Sequence, residues 1–228
     1  MLGKIYNFIG KYILIGKHVE FMVILYFFFF LRGKISGVEN LPEKGGFILA
    51  SNHESYLDWL ILYSLFNTIY KKRVSFLGKA KLFHHPLFRF YLAYSRTIKI
   101  DYNDTEEKEK TYKIIISKLE NGDNIGIFPE GTRSRDGSLQ KTYTGVAQMA
   151  LDANVPVIPT GLIGFYETWP SHQAFPGFSK CTVKIDKPLM FSPDESMPRK
   201  DQERQITDDI MVKISKLTGE KYERSSIF

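Results

Sequence analysis

A single cysteine, Cys181, stands in a chain of 228 residues. That excludes a disulfide framework and any metal site built on cysteine pairs. It also points to a reducing compartment, most simply the cytoplasmic side of a membrane. Histidine is sparse as well, with five in all; His84 and His85 are adjacent, but no third ligand stands at metal spacing, so packing or solvation is their expected role. Acid is in deficit: the formal net charge is +6 and the pI about 9.2. This balance suits an anionic partner, either a membrane surface or a phosphorylated substrate. The cations are spread out and no nucleic-acid motif appears, which argues against nucleic acid. No internal repeat and no long disordered tract interrupt the chain, and its length suits one α/β domain with a small appendage.

Apolar runs are short. The unbroken run from Phe21 to Leu31 has eleven residues. As a helix it reaches roughly 16 Å against a hydrocarbon core of about 30 Å, so it is not expected to span a bilayer. Before it, Lys4, Lys11 and His18 recur every seven residues on one helical face, with Ile5, Phe8, Ile9, Tyr12 and Ile15 on another. A basic amphipathic helix of this kind lies in a membrane interface. The alternative is a helical hairpin packed on the core. Arg32-Gly33-Lys34 follows the run in place of a small-residue cleavage site, so a cleaved signal peptide is not expected. Residues 1–33 therefore read as a membrane-associating element and 34–228 as the main domain.

Beyond Arg32 the pattern alternates. Strands are expected at 34–38, 47–51, 74–77, 97–101, 125–128, 157–163 and 181–185. Helices are expected from the turn after Ser51 to Phe66, over 82–94 with Pro86 starting or kinking it, from 103 to 121, over 143–154 and over 198–217. Asp104 and Thr105 are capping candidates, and Asn121-Gly122-Asp123 is a stop. Residues 219–228 are expected to fray. Alternation of this kind predicts an α/β domain with a mixed sheet flanked by helices.

Two stretches carry chemistry. Asn52-His53 closes an apolar strand, and Asp58 follows five residues later. On a straight helix those side chains would diverge; with His53 in the turn and Asp58 in the first helical turn they meet. A carboxylate then holds the imidazole in one tautomer, as a general base requires. Asn52 and Ser55 are cap candidates, and a purely capping role for His53 and Asp58 is the plain alternative. The second stretch is Ile127-Phe128-Pro129-Glu130-Gly131-Thr132-Arg133-Ser134-Arg135. Pro129 keeps Phe128 extended, Gly131 permits a tight turn, and Arg133 projects from a strand end as a fork for phosphate. Glu130 either orients that arginine or caps a helix.

With both stretches in order, the chain resembles the 1-acylglycerol-3-phosphate acyltransferase family of the glycerolipid acyltransferase superfamily. The resemblance runs from Gly37 to Leu189, two thirds of the chain. Asn52, His53 and Asp58 match its Asn-His-x4-Asp motif, Phe128 to Ser134 match Phe-Pro-Glu-Gly-Thr-Arg-Ser without a gap, and Val155 to Pro159 match its apolar block. The resemblance implies transfer of a fatty acyl group from a thioester, on coenzyme A or acyl carrier protein, to the hydroxyl of a membrane lysolipid. It implies His53 as base, Asp58 as its orienter, and Arg133 as the holder of the acceptor phosphate in a substrate-binding loop shaped by Glu130, Gly131 and Thr132, with no metal and no cofactor beyond the co-substrate. Lys79 is a candidate for charge stabilisation. The match weakens between Lys81 and Tyr102: Lys81 stands where the family carries an acid, and Tyr102 where it carries an acceptor-binding arginine. Either Arg96 or Lys99 replaces that arginine, or the acceptor is a different lysolipid. A non-catalytic lipid-binding protein and a hydrolase complete the alternatives. The expected location is the cytoplasmic face of an inner or plasma membrane.

Overall fold

The computed structural model describes residues 2–84 and 86–224, with side chains from 13 onward except 86–88. Among these residues seven strands form one sheet: β1 (Lys34–Ser36), β2 (Ile48–Ser51), β3 (Val74–Lys79), β4 (Ile98–Ile100), β5 (Asn124–Ile127), β6 (Val157–Ile163) and β7 (Thr182–Ile185). Their order is β1-β7-β6-β2-β5-β3-β4. The five strands from β6 to β4 are parallel; β7 runs antiparallel to β6, and β1 parallel to β7. Six α-helices accompany them: α1 (Leu2–Leu25), α2 (Asp58–Ser64), α3 (Pro86–Tyr94), α4 (Thr105–Glu120), α5 (Gly145–Ala153) and α6 (Arg199–Thr218).

The central strands lack polar alternation because both faces are covered. All four residues of β2 are buried. Leu49 packs with Phe47, Ile61, Leu62 and Phe66 towards α1 and α2, while Ile48 and Ala50 pack with Ile115, Val146, Ile210 and Ile214 towards α4, α5 and α6. Gly126 in β5 is a packing requirement, since a Cβ there would meet the Phe76 ring at 2.4 Å. Asp104 caps α4 as expected, accepting the Glu107 N–H at 3.0 Å. The carboxyl ends of β2, β3, β4 and β5 share one edge, and they deliver the turns after Ser51, Lys79, Ile100 and Ile127 to one place. In parallel sheets that edge is where ligands bind.

Three expectations need correcting. The N-terminal segment is not divided into a basic amphipathic helix and a separate short apolar run. It is one helix, α1, continued by a π-helical turn over Tyr26–Phe30. The 18 residues Ile13–Phe30 have a mean hydropathy of 1.8, so by length and composition this helix is long and apolar enough to cross a membrane. No breaker stands between the basic segment and the apolar run, so one helix takes both. The two faces expected from Lys4, Ile5, Phe8, Ile9, Lys11 and Tyr12 lie outside the described side chains, as does His85. The helix is anchored to the domain: Phe27 and Leu31 are fully buried in the core, and buried Glu20 accepts the Thr68 hydroxyl. Second, residues 219–224 do not trail away. The Tyr222 hydroxyl bonds Asp208 at 2.8 Å and Thr142 at 3.2 Å, which seats the tail; residues 225–228 are outside the description. Third, the strand expected over 34–38 stops at Ser36, and a 3₁₀ turn takes Val38–Asn40.

Candidate active site

The turn after β2 is held before it is used. The Asn52 amide clamps β6 from both sides, donating to the Leu162 carbonyl at 2.9 Å and accepting the Leu162 N–H at 2.8 Å. Ser55 donates to the Trp169 carbonyl at 2.9 Å and accepts the Leu57 N–H at 3.1 Å. Neither residue is the N-cap of α2, the role its side chain suggested; Asn52 ties the turn to β6 itself and Ser55 ties it to the chain beyond β6. The result is a bend that brings Asp58, at the start of α2, back against His53. Asp58 Oδ2 lies 2.7 Å from His53 Nδ1 and also accepts the N–H groups of Glu54 at 2.6 Å and Ser55 at 2.8 Å. Asp58 is fully buried, so these three donors compensate its desolvation. With Nδ1–H given to Asp58, Nε2 carries the free lone pair. The imidazole stacks on Phe128, ring centroids 4.0 Å apart.

The second stretch is joined to the first through the backbone. His53 N–H donates to Glu130 Oε1 at 2.8 Å, and the His53 carbonyl accepts the Ser134 N–H at 2.7 Å. Glu130 Oε2 accepts the Gln140 N–H at 2.9 Å. Both oxygens of Glu130 are thus taken by backbone N–H groups, so it is neither the orienter of Arg133 nor a helix cap. It is buried at 1% exposure and splices the two turns together. Burial pushes its carboxyl up to about 8 against the pull of those two N–H donors. Gly131 takes φ +64, and a Cβ there would strike the Tyr143 ring at 2.9 Å. Thr132 is exposed. Arg133 lies with its guanidinium carbon 3.6 Å over the Tyr56 ring, and its Nη1 is buried without a hydrogen-bond partner among the described residues. An unpaired guanidinium nitrogen on an aromatic platform is a poised anion donor. Tyr56, inside the x4 of the His53–Asp58 motif, was not singled out from sequence.

A cleft of about 670 Å³ opens beside Phe128, between the ends of β3, β4 and β5 and helices α4 and α5. Leu77, Ile100, Ile115, Ile127 and Met149 form its apolar wall; Tyr102, Tyr143, Lys79, Lys108 and Lys113 also line it. Lys79 is thus brought to the site, whereas Arg96 is not on this wall. It sits in the turn between α3 and β4 at φ +53, exposed. No group of three or more His, Cys, Asp or Glu that could hold a metal ion occurs among the described residues.

A second carboxyl contact backs the turn. Buried Glu54 accepts the Asn52 amide at 2.8 Å and the Tyr166 N–H at 3.1 Å. Glu220, from the seated tail, meets it. Burial first, then hydrogen bonding to Glu220, holds Glu54 well above the usual carboxylate range; Asp58 adds to this, and burial raises Glu220 as well. A hydrogen bond between two carboxyls needs a proton on one of them, and the upward shift of both favours keeping it there. A carboxyl raised in the folded state contributes stability that is complete below its ordinary value of 4.5 and lost as pH rises through the folded value. Thermal stability is thus expected to fall as pH rises from about 5 to 9, each kcal/mol lost lowering Tm by about 2–4 °C. Glu220→Gln replaces the shared proton with an amide donor, so its Tm profile is expected to be shallower, the remaining slope being that of Glu130 and of the burial of Glu54. Equal slopes in thermal melts of the two proteins would rule the shared proton out.

Comparison with known proteins adds an independent finding. Residues 32–163 match the family model described as Acyltransferase. The chain is 29% identical over 162 residues to 1-acyl-sn-glycerol-3-phosphate acyltransferase LPAT1, chloroplastic, of Arabidopsis thaliana, covering 70% of this chain and 44% of that protein. It is 31% identical over 162 residues to the BAT2 chloroplastic counterpart of Brassica napus, covering 70% and 46%. To the 1-acyl-sn-glycerol-3-phosphate acyltransferase of Bacillus subtilis it is 26% identical over 190 residues, covering 82% and 89%. The chain therefore spans under half the length of the two plant relatives and most of the bacterial one. The crystal structure of the acyltransferase PlsC from Thermotoga maritima superposes with a TM-score of 0.71 at 22% identity, covering 95% of this chain and 91% of that one. That likeness speaks for the fold.

Proposed function

From the premise that the chain belongs to the acyltransferase family, we propose that it moves a fatty acyl group from an acyl thioester to the free hydroxyl of 1-acylglycerol-3-phosphate, forming phosphatidic acid. The observation that carries this reading is the His53–Asp58 pair, spliced by Glu130 and Ser134 to the loop that offers Arg133. His53 Nε2 takes the acceptor's hydroxyl proton as its oxygen attacks the thioester carbonyl. The new C–O bond forms, the C–S bond breaks, and the departing thiolate recovers the proton from the imidazolium. Asp58 stabilises that imidazolium in between. Arg133, on its Tyr56 platform, holds the acceptor phosphate; Gly131 shapes the loop and Lys79 offers positive charge from the cleft wall. Holding both substrates in line supplies much of the rate, and base catalysis adds about 10²–10⁴-fold. The donor thioester is carried by coenzyme A or acyl carrier protein, and no metal takes part.

The cleft beside Phe128 is the seat for the donor's acyl chain. Its walls are apolar, and it adjoins the ring on which His53 is stacked. Gly145 lines it, with open space where a Cβ would stand. Gly145→Phe is expected to lower turnover of long-chain donors on the order of tenfold by overpacking the cleft, with short-chain donors near wild type. An unchanged chain-length preference would place the acyl chain elsewhere. The protein is seated on the cytoplasmic face of its membrane through α1, so the lipid acceptor enters from the side.

Tyr102 favours a second reading, in which the acceptor is another lysolipid. It lines the cleft where the resembling family carries an arginine, and Arg96 does not fill that place. The test is an acceptor panel assayed with one donor. Preference for lysophosphatidic acid over lysophosphatidylcholine and lyso-ornithine lipids supports the first reading; the reverse order supports the second.

A further inference from the structure

The end of α1 has an aromatic companion. Between Trp169 and β7 the chain makes an excursion over 170–180 that carries Phe175 at 79% and Phe178 at 73% exposure. The excursion is ordered by its own contacts. Gln173 donates its side-chain amide to the Phe175 carbonyl at 2.6 Å, and Gly177 N–H donates to the Thr168 carbonyl at 2.6 Å. It is also fastened to the helix end. The Tyr26 hydroxyl donates to the Gly177 carbonyl at 2.6 Å, and the Phe178 ring stands 6.3 Å from Tyr26 and 5.9 Å from Phe30.

Two segments far apart in sequence thus present one surface, with Phe28, Phe29, Phe30, Phe175 and Phe178 all exposed. Exposed aromatic surface of this extent, held rigidly, marks an interaction site. Its neighbours in sequence, Arg32, Lys34 and Lys180, are exposed cations. Apolar rings flanked by basic residues match the boundary of an anionic bilayer, where rings enter the acyl boundary and cations meet phosphate. The base of the excursion reaches the catalytic turn. The Trp169 carbonyl accepts both the Ser55 hydroxyl at 2.9 Å and the Tyr56 N–H at 3.3 Å. Its ring lies 5.2 Å from Tyr56, which carries Arg133.

We propose that the 170–180 excursion is a second membrane-contacting element, inserting Phe175 and Phe178 into an anionic bilayer beside the end of α1 and thereby fixing the depth of the Tyr56–Arg133 seat. This rests on the membrane reading above. The test compares the full chain, Phe175→Ser/Phe178→Ser and Phe29→Ser/Phe30→Ser for sedimentation with phosphatidylcholine–phosphatidylglycerol vesicles. Turnover is measured in parallel on a short-chain acceptor below its micellar concentration and on a vesicle-embedded acceptor.

The excursion variant is expected to lose vesicle affinity on the order of tenfold per ring. Its KM for the embedded acceptor rises, while its turnover of the dispersed acceptor and its melting temperature stay at wild-type values. Wild-type vesicle binding by that variant, with loss confined to Phe29→Ser/Phe30→Ser, overturns the proposal and leaves the membrane reading standing. Failure of the unmodified chain to bind any vesicle overturns both. A wild-type dimer that the excursion variant converts to monomer would assign the patch to a second copy instead.

Discussion

Replacing His53 with alanine is expected to cut kcat by about 10²–10⁴-fold while leaving the fold intact. Little of the turn hangs on the ring. The imidazole bonds Asp58 and stacks on Phe128, whereas the structural bonds of this residue are made by its backbone to Glu130 and Ser134. Asp58 differs. Its Oδ2 also holds the N–H groups of Glu54 and Ser55 in a fully buried setting. Asp58→Ala would leave those donors unpaired at about 1–3 kcal/mol each, so it should lose stability as well as activity. The contrast is diagnostic: His53→Ala, which removes one of the three donors to Asp58, fails chiefly in kinetics, Asp58→Ala in both kinetics and thermal melts. Near-wild-type turnover by His53→Ala would rule out His53 as the base.

For Arg133→Ala, kcat/KM for a phosphorylated acceptor should fall about 10–100-fold, chiefly through KM, since hydrogen bonds to a charged group are worth about 1.5–3 kcal/mol. The fold should not notice. Arg133 rests on Tyr56 and leaves Nη1 unbonded among the described residues, so its removal strands no buried partner. An acceptor without phosphate, such as a monoacylglycerol, should react equally slowly with both proteins. Arg133→Lys should recover only part of the loss, because an ammonium cannot reproduce the planar fork. An unchanged KM for lysophosphatidic acid in steady-state assays would assign the phosphate to other cations.

Most of the architecture was legible because it is written in local patterns. The buried-strand composition of Ile48 to Ser51, the Asp104 cap and the alternation of strands with helices all act within a few residues. His53, Asp58 and Arg133 were legible for the same reason: each stands in a short segment whose turn geometry follows from Asn, Pro and Gly. What escaped depends on contacts between distant segments. A carboxylate beside an arginine suggests pairing with it, and nothing local to Glu130 reveals that His53 N–H lies in reach. The cleft draws its walls from β3, β4, β5, α4 and α5, so its outline has no signature in any one stretch. The Glu54–Glu220 contact spans nearly the whole domain. Charge periodicity and apolar run length each point to a separate segment before Leu31, while helix propagation joins the two into α1.

The most direct test is a mass balance. The purified protein is incubated with lysophosphatidic acid and an acyl thioester, and phosphatidic acid, free thiol and free fatty acid are quantified together. One phosphatidic acid is expected per thiol released, with negligible thiol release when the acceptor is left out. Thiol and free fatty acid released at the same rate without an acceptor would contradict acyl transfer and make the protein a hydrolase.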